Sequence, residues 1–180
     1  MITTRRASTD DIEAMLGHVQ AGLDSDVAFA SLGWRPPRAE ADRQRSLRFL
    51  ADPDTWALLA VADSSAIGHV AFVPARERAP SSQPADLLER PVIPGLAHVW
   101  RLFVLPDWWG RGVAPLLHDA AIAEMRARGY ERGRLFTPSL QARARRFYER
   151  RGWRSTEEQW NDDFQLMMTE YRIALAPNGG

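Results

Sequence analysis

Between His98 and Tyr130 the chain reads HVWRLFVLPDWWGRGVAPLLHDAAIAEMRARGY, and no other stretch constrains the fold as tightly. The apolar run through Val104 suits a buried strand. A turn follows, Trp109-Gly110-Arg111-Gly112-Val113-Ala114, in which two glycines flank an arginine. Pro115 fixes the start of a helix near Gly112, because proline lacks an N–H and is tolerated only in a first helical turn. In such a turn successive backbone N–H groups converge on an anion, and the helix N-terminus adds a partial positive charge. The expectation is a phosphate-bearing cofactor.

Two common nucleotide motifs are excluded. GxGxxG needs a third glycine, and GxxxxGK[ST] needs a lysine, of which the chain has none. The order V-x-P-x-x-W-G-R-G-V-A instead resembles the pyrophosphate-binding signature of the GCN5-related N-acetyltransferases (GNAT), roughly V-x-P-x-x-[QR]-G-x-G-x-[GA]. Val104, Pro106, Gly110, Gly112 and Ala114 match it, and Trp109 stands where Gln or Arg is usual. In the family that residue acts mainly through its backbone. A second segment, Gln141 to Trp153, is similar to the family's N-x-x-A-x-x-F-Y-E-x-x-G-F. Ala144, Phe147, Tyr148, Glu149 and Gly152 match; Gln141 replaces Asn and Trp153 replaces Phe. The spacing between the two motifs leaves room for one helix and one strand.

With 180 residues the chain is expected to form one domain, residues 1–180, with a proper core. Its formal net charge is zero, which gives no general drive toward nucleic acid or membrane. The absence of cysteine excludes disulfides, a thiolate metal site and a thiol nucleophile. No metal is expected. No apolar run reaches the ~20 residues needed to span a bilayer. Arg5-Arg6 precedes Ala-Ser-Thr-Asp-Asp rather than an apolar core, so no export signal is read there. A cytoplasmic protein is the expectation.

Periodicity predicts a strand over 2–7, then a helix capped by Ser8 or Thr9 and facing Ile12, Met15, Leu16, Val19 and Leu23 inward. A second helix is expected from Arg38 or Ala39 to Leu50. Trp56–Ala62 and Ile67–Val73 read as a hairpin around residues 63–66. Residues 74–96 hold five prolines and read as a long loop, packed near the acceptor site or a partner subunit, or else a surface insertion. Ala97–Leu105 is the expected central strand. The following helix is expected to face Val113, Leu116, Leu117, Ala120, Ala121 and Glu124 or Met125 inward and to end at Gly129. A strand at 134–137, a helix at 140–151 and a strand pair at 153–160 and 164–174 complete the order β-α-α-β-β-β-α-β-α-β-β. The predicted fold class is mixed α/β, a mostly antiparallel central sheet flanked by helices, as in GNAT-like acyl-CoA N-acyltransferases.

The resemblance implies an N-acetyltransferase that moves acetyl from acetyl-CoA to a primary amine by direct attack. An alkyl amine has a pKa of about 10, so a base or a desolvating site is needed near neutrality. His98 is the candidate base: the matching family strand often carries Glu or His there, and an imidazole pKa of ~6.5 suits the task. Strict alternation puts 98, 100, 102 and 104 on one face and sends Arg101 and Phe103 to the other. The alternative for His98 is a histidine that only hydrogen-bonds within a half-buried strand. Tyr148 is the candidate acid, matching the tyrosine that faces the cofactor sulfur. Leu102, Phe103 and Val104 are expected to line the pantetheine channel, with the Val104 main chain pairing with the arm as an added strand would. Trp109, Gly110, Arg111, Gly112, Val113 and Ala114 are expected to give N–H groups to the pyrophosphate, Arg111 also its side chain. Gln141 matches the Asn that steadies the arm or orders a water. Trp100 and Trp34 are candidates for the acceptor pocket. Asp24, Asp26, Asp162 and Asp163 are weighed as holders of a cationic substrate, or as ordinary solvated turn residues. The final strand pair suggests a homodimer by resemblance. Two other readings stay open: a non-catalytic acyl-CoA-binding regulatory module, and a detoxifying enzyme that acetylates an antibiotic-like amine or toxin. A protein-lysine acetyltransferase is less favoured, for want of a peptide-binding element.

Overall fold

A computed structural model describes residues 1–25, 33–77 and 87–175. Its elements are β1 (Ile2–Arg6), α1 (Ile12–Asp24), α2 (Arg43–Ala51), β2 (Trp56–Ala62), β3 (Ser65–Arg76), β4 (Val92–Val104), α3 (Val113–Ala127), β5 (Arg132–Pro138), α4 (Ala142–Glu149), β6 (Arg154–Asn161) and β7 (Leu166–Ala174). The strands form one seven-stranded sheet in the order β1-β2-β3-β4-β5-β7-β6. Every neighbouring pair is antiparallel except β4 and β5, which run parallel. The mixed α/β class and the order of elements are those expected.

Local chemistry explains the boundaries. The Ser8 side chain accepts the Asp10 N–H, and Asp11 accepts the Ser8 N–H at 2.9 Å, so two orphan donors are satisfied where the first helical segment starts. The β2–β3 turn needs only Asp63 and Ser64, both at positive φ (48° and 65°), the geometry that matches the twist of a two-residue hairpin. Gly129 and Gly152 follow α3 and α4, where the periodicity places their ends.

Two elements differ from the expectation. The proline-rich loop is shorter than 74–96, because β3 continues to Arg76 and β4 begins at Val92. Pro74 is tolerated inside β3 because the register shifts just beyond it, and a bulge excuses a strand residue that has no N–H. Residues 78–86 of that stretch lie outside the described residues. The inner face of α3 is also rotated. Val113, Leu117, His118, Ala121, Ile122 and Met125 are buried, whereas Leu116 is 41% exposed. His118 takes an inward position because the Trp153 indole N–H donates to its Nε2 at 2.9 Å, which satisfies a polar atom in the core.

The main core lies between the sheet and α3–α4 and includes Phe72, Ala97, Val99, Val104, Leu117, Met125, Leu135, Trp153 and Tyr171. A smaller cluster under α1 holds Ile12, Leu16, Val19 and Ala39, with Phe103 packed against it. Near the centre of the molecule the two parallel strands separate. Strands β4 and β5 pair only through Leu96, Ala97 and His98 with Arg132, Gly133 and Arg134. Beyond His98 they pair no further, and the gap between them positions the site.

Candidate active site

The separation of the strands coincides with a bulge. Ala71 pairs with Arg101 and Phe72 with Val99, so Trp100 is an extra residue in β4. A bulge bends its strand and disturbs the alternation of faces. Trp100 stacks on Phe49 of α2 at 4.7 Å, and the Arg101 guanidinium reaches Asp42 and the Ser46 hydroxyl (2.9 Å) on the same side. Phe103 packs on the α1 cluster. Val99, Leu102 and Val104 pack into the α3 core. The expected face of 98, 100, 102 and 104 is therefore corrected. Trp100, Arg101 and Phe103 lie on the α1–α2 side, while Leu102 and Val104 lie on the other.

An open cleft of about 1880 Å³ runs through the gap. Its lining includes His98, Trp100, Leu102, Phe103, Val104, Trp109, Gly110, Gly112, Val113, Ala114, Gln141, Tyr148 and Trp34. Of the residues expected to hold the cofactor, do the chemistry or wall the acceptor pocket, Arg111 is absent from the lining, and its guanidinium stands 5.2 Å over the Trp108 ring.

At the glycine turn the N–H groups are not equivalent. The Trp109 N–H donates to the Pro106 carbonyl at 3.0 Å, and that of Arg111 to the Trp108 carbonyl at 3.4 Å. These two are taken up by the turn itself, which corrects the expectation that all of them serve an anion. Among the described residues, those of Gly110, Gly112, Val113 and Ala114 make no such bond. Gly110 and Gly112 have φ of 74° and 81°, and a Cβ built on either meets nothing within 4 Å. Free donors, open space and a helix N-terminus fit a pyrophosphate.

Trp109 carries a second correction. Its indole N–H donates to the Val104 carbonyl at 2.7 Å, and the Arg143 guanidinium lies 3.3 Å from its ring centroid. The Val104 main chain, expected to pair with a pantetheine arm, has one carbonyl lone pair taken by this indole, and the residue expected to act through its backbone also acts through its side chain.

On the α4 side, Tyr148 is buried against Phe147, Trp153 and Tyr171. Burial raises its phenol above the ordinary value near 10, so it is protonated at neutral pH. Beside it a clamp that the motif did not reveal ties α4 to β7. The Tyr171 hydroxyl donates to Glu149 Oε1 (2.7 Å) and accepts from Arg145 Nε (3.0 Å), and Arg145 Nη1 donates to the Ser139 carbonyl (2.9 Å). Arg145 and Glu149 lie one helical turn apart, a spacing that could have flagged them as a pair.

On the α1–α2 side, His98 meets Phe136 of β5, ring centroids 5.6 Å apart. Phe136 belongs to a cluster with Trp34, Phe164, Leu166 and Met168. The Trp34 indole N–H donates to the Phe164 carbonyl at 2.8 Å, clasping the α1–α2 connection to the β6–β7 turn. Asp163 lines the cleft and pairs with Arg45 at 3.3 Å; Asp24 accepts from the Gln20 amide at 2.8 Å. Asp162 is absent from the lining, and Asp26 lies outside the described residues. Burial lowers the Arg101 pKa to about 10, which leaves it charged at neutral pH.

Residues 24–153 match the family model described as the acetyltransferase (GNAT) family. Solved structures agree in fold. A GNAT-family acetyltransferase from Staphylococcus aureus Mu50 superposes with a TM-score of 0.72 at 12% identity, covering 97% of this chain and 99% of that one. The ribosomal-protein-alanine N-acetyltransferase of Brucella melitensis gives 0.71 at 16% identity, covering 96% and 99%. The paia N-acetyltransferase of Thermoplasma acidophilum, solved in complex with coenzyme A, gives 0.64 at 18% identity, again covering 96% and 99%. No curated protein sequence matches the chain. The chain belongs to the GNAT acetyltransferase family, and it is an acetyl-CoA-dependent acyltransferase. Among the described residues no helix is long and apolar enough to cross a membrane.

Proposed function

We propose that the protein is an N-acetyltransferase that acetylates the primary amine of a small molecule or an amino terminus by direct attack on acetyl-CoA. The observation that carries this reading is the cleft through the sheet, lined by Tyr148 from the α4 side and by His98 and the Phe136 cluster from the other. Acyl transfer needs the amine held against the thioester carbonyl, with a base within reach of the nitrogen and an acid within reach of the departing sulfur.

In this reading the free N–H groups of Gly110, Gly112, Val113 and Ala114 hold the pyrophosphate. Leu102, Phe103 and Val104 line the channel of the arm, and Gln141, at the start of α4, steadies it. His98 takes the proton released by the amine as the C–N bond forms. Tyr148 donates to the sulfur as the C–S bond breaks and the electron pair moves onto it. A phenol held above its usual pKa does not ionise beforehand, so its proton is available at that moment. Trp100 and Trp34 belong to the acceptor wall. A single domain, a cytoplasmic setting and a homodimer that extends the open β6 edge complete the proposal.

The test is coenzyme A release from acetyl-CoA, read with a thiol reagent over pools of amines, amino acids and peptides. The absence of cysteine removes any protein thiol background. Release that depends on one pool establishes the transferase. Tight acetyl-CoA binding without release from any pool would favour the regulatory module instead.

A further inference from the structure

The acceptor half of the cleft has a composition that narrows the substrate. Beside His98 stand four half-buried aromatic side chains, Trp34, Trp100, Phe136 and Phe164, with Met168 closing the wall. They come from four separate parts of the chain, and the Trp34–Phe164 clasp ties two of them together. The carboxylates near them are already matched. Asp42 pairs with Arg101 and Arg45, and Asp163 pairs with Arg45. Among the described residues that line this half, no carboxylate lacks an arginine partner.

A site that recognises a polyamine or an aminoglycoside needs carboxylates for the ammonium groups that do not react, because burying an unpaired charge is costly. A site walled by aromatic faces gains from burying a ring. It also lowers the pKa of the attacking ammonium by desolvation, which eases the task of the base. We infer that the acceptor is an aromatic amine, one primary amine on a short chain bearing a ring and no second positive charge. This rests on the transferase reading above.

The experiment measures acetyl-CoA binding first, by calorimetry; failure to bind would overturn the transferase reading itself. With binding intact, kcat/KM is compared for 2-phenylethylamine, butylamine, putrescine, spermidine and an alanyl peptide. Phenylethylamine is expected to exceed each of the others about tenfold or more. Phe164→Ala is expected to lower its kcat/KM about tenfold while leaving the acetyl-CoA Kd unchanged, because Trp34 bonds the Phe164 carbonyl and not the ring. Equal or faster turnover of the polyamine, the peptide or butylamine would overturn the assignment. So would an unchanged kcat/KM in the variant. If no amine turns over, ligand-observed NMR with the coenzyme A complex decides, and absence of phenylethylamine binding overturns the assignment.

Discussion

The Nδ1 atoms of His18 and His69 lie 3.0 Å apart in the buried layer between α1 and the sheet. The pair fixes its own tautomers. His18 Nε2 donates to the Ala66 carbonyl at 3.0 Å, so a neutral His18 must accept at Nδ1 and His69 must donate there. His69 Nε2 is then a bare acceptor, buried without a partner. Phe103 stacks on His69, and the Arg101 charge acts on it as well. A second proton on His18 Nδ1 would face the His69 N–H, and one on His69 Nε2 would be a buried charge with no acceptor.

Stability is therefore expected to fall on acidification. Burial lowers the pKa of His18 and lowers that of His69 strongly, while both sit near 6.5 in the unfolded chain. Below about 6.5 the unfolded state binds more protons than the folded state, so stability is full above that pH and is lost as pH falls. The limiting slope is about 1.4 kcal/mol per pH unit for each histidine. Urea unfolding between pH 7.5 and 5 measures it, and the double variant His18→Leu, His69→Phe is expected to flatten the curve. A pH-independent stability in the parent would show that the pair does not exclude protons.

Trp109 and Val104 give a second prediction. Trp109→Phe keeps a ring beneath Arg143 but removes the N–H that occupies the Val104 carbonyl. If the arm uses that carbonyl, its competitor is gone. Acetyl-CoA binding is expected to tighten by roughly 2- to 10-fold, the net worth of one neutral hydrogen bond. Calorimetry distinguishes this from weaker binding, which would mean that the indole holds the turn in its binding form.

Gly112 separates backbone strain from charge. At φ 81° a Cβ has open space but an unfavourable conformation, so Gly112→Ala is expected to cost about 1–2 kcal/mol of stability. Gly112→Glu adds a carboxylate beside the proposed pyrophosphate position. Its acetyl-CoA affinity is expected to fall about tenfold or more below that of the alanine variant. Equal affinities in the two variants would remove the anion site from the turn.

The sequence revealed most where periodicity and covalent constraint act locally. Pro115 and Gly112 mark the start of α3, and the apolar spacing of Ile12, Met15, Leu16 and Val19 marks the buried face of α1. It was silent where a neighbour decides. The bulge at Trp100 depends on the β3 register and on the Phe49 ring, so alternation along β4 alone sends Arg101 and Leu102 to the wrong faces. Pro74 reads as a loop residue until a bulge accommodates it. Leu116 and His118 exchange roles because an indole from beyond α4 supplies a hydrogen bond inside the core. The site motifs were legible, but the side-chain bond from Trp109 to Val104 was not, since it departs from the pattern that identified the turn.

Tyr148 and Tyr171 are neighbouring tyrosines with different expected roles, and two Tyr→Phe variants separate them. The Tyr171 hydroxyl holds Glu149 and Arg145. Its removal leaves a carboxylate and a guanidinium short of a partner and is expected to cost about 1–3 kcal/mol of stability. The Tyr148 hydroxyl makes no hydrogen bond among the described residues, and burial is the only cause of its raised pKa. Tyr148→Phe is therefore expected to leave the melting temperature nearly unchanged. If Tyr148 donates to the departing sulfur, the same variant lowers kcat by about 10²- to 10⁴-fold with little effect on acetyl-CoA affinity. Thermal unfolding and steady-state kinetics on both variants provide the check. A Tyr148→Phe enzyme of normal kcat would deprive the tyrosine of its acid role and leave solvent as the proton source for the sulfur.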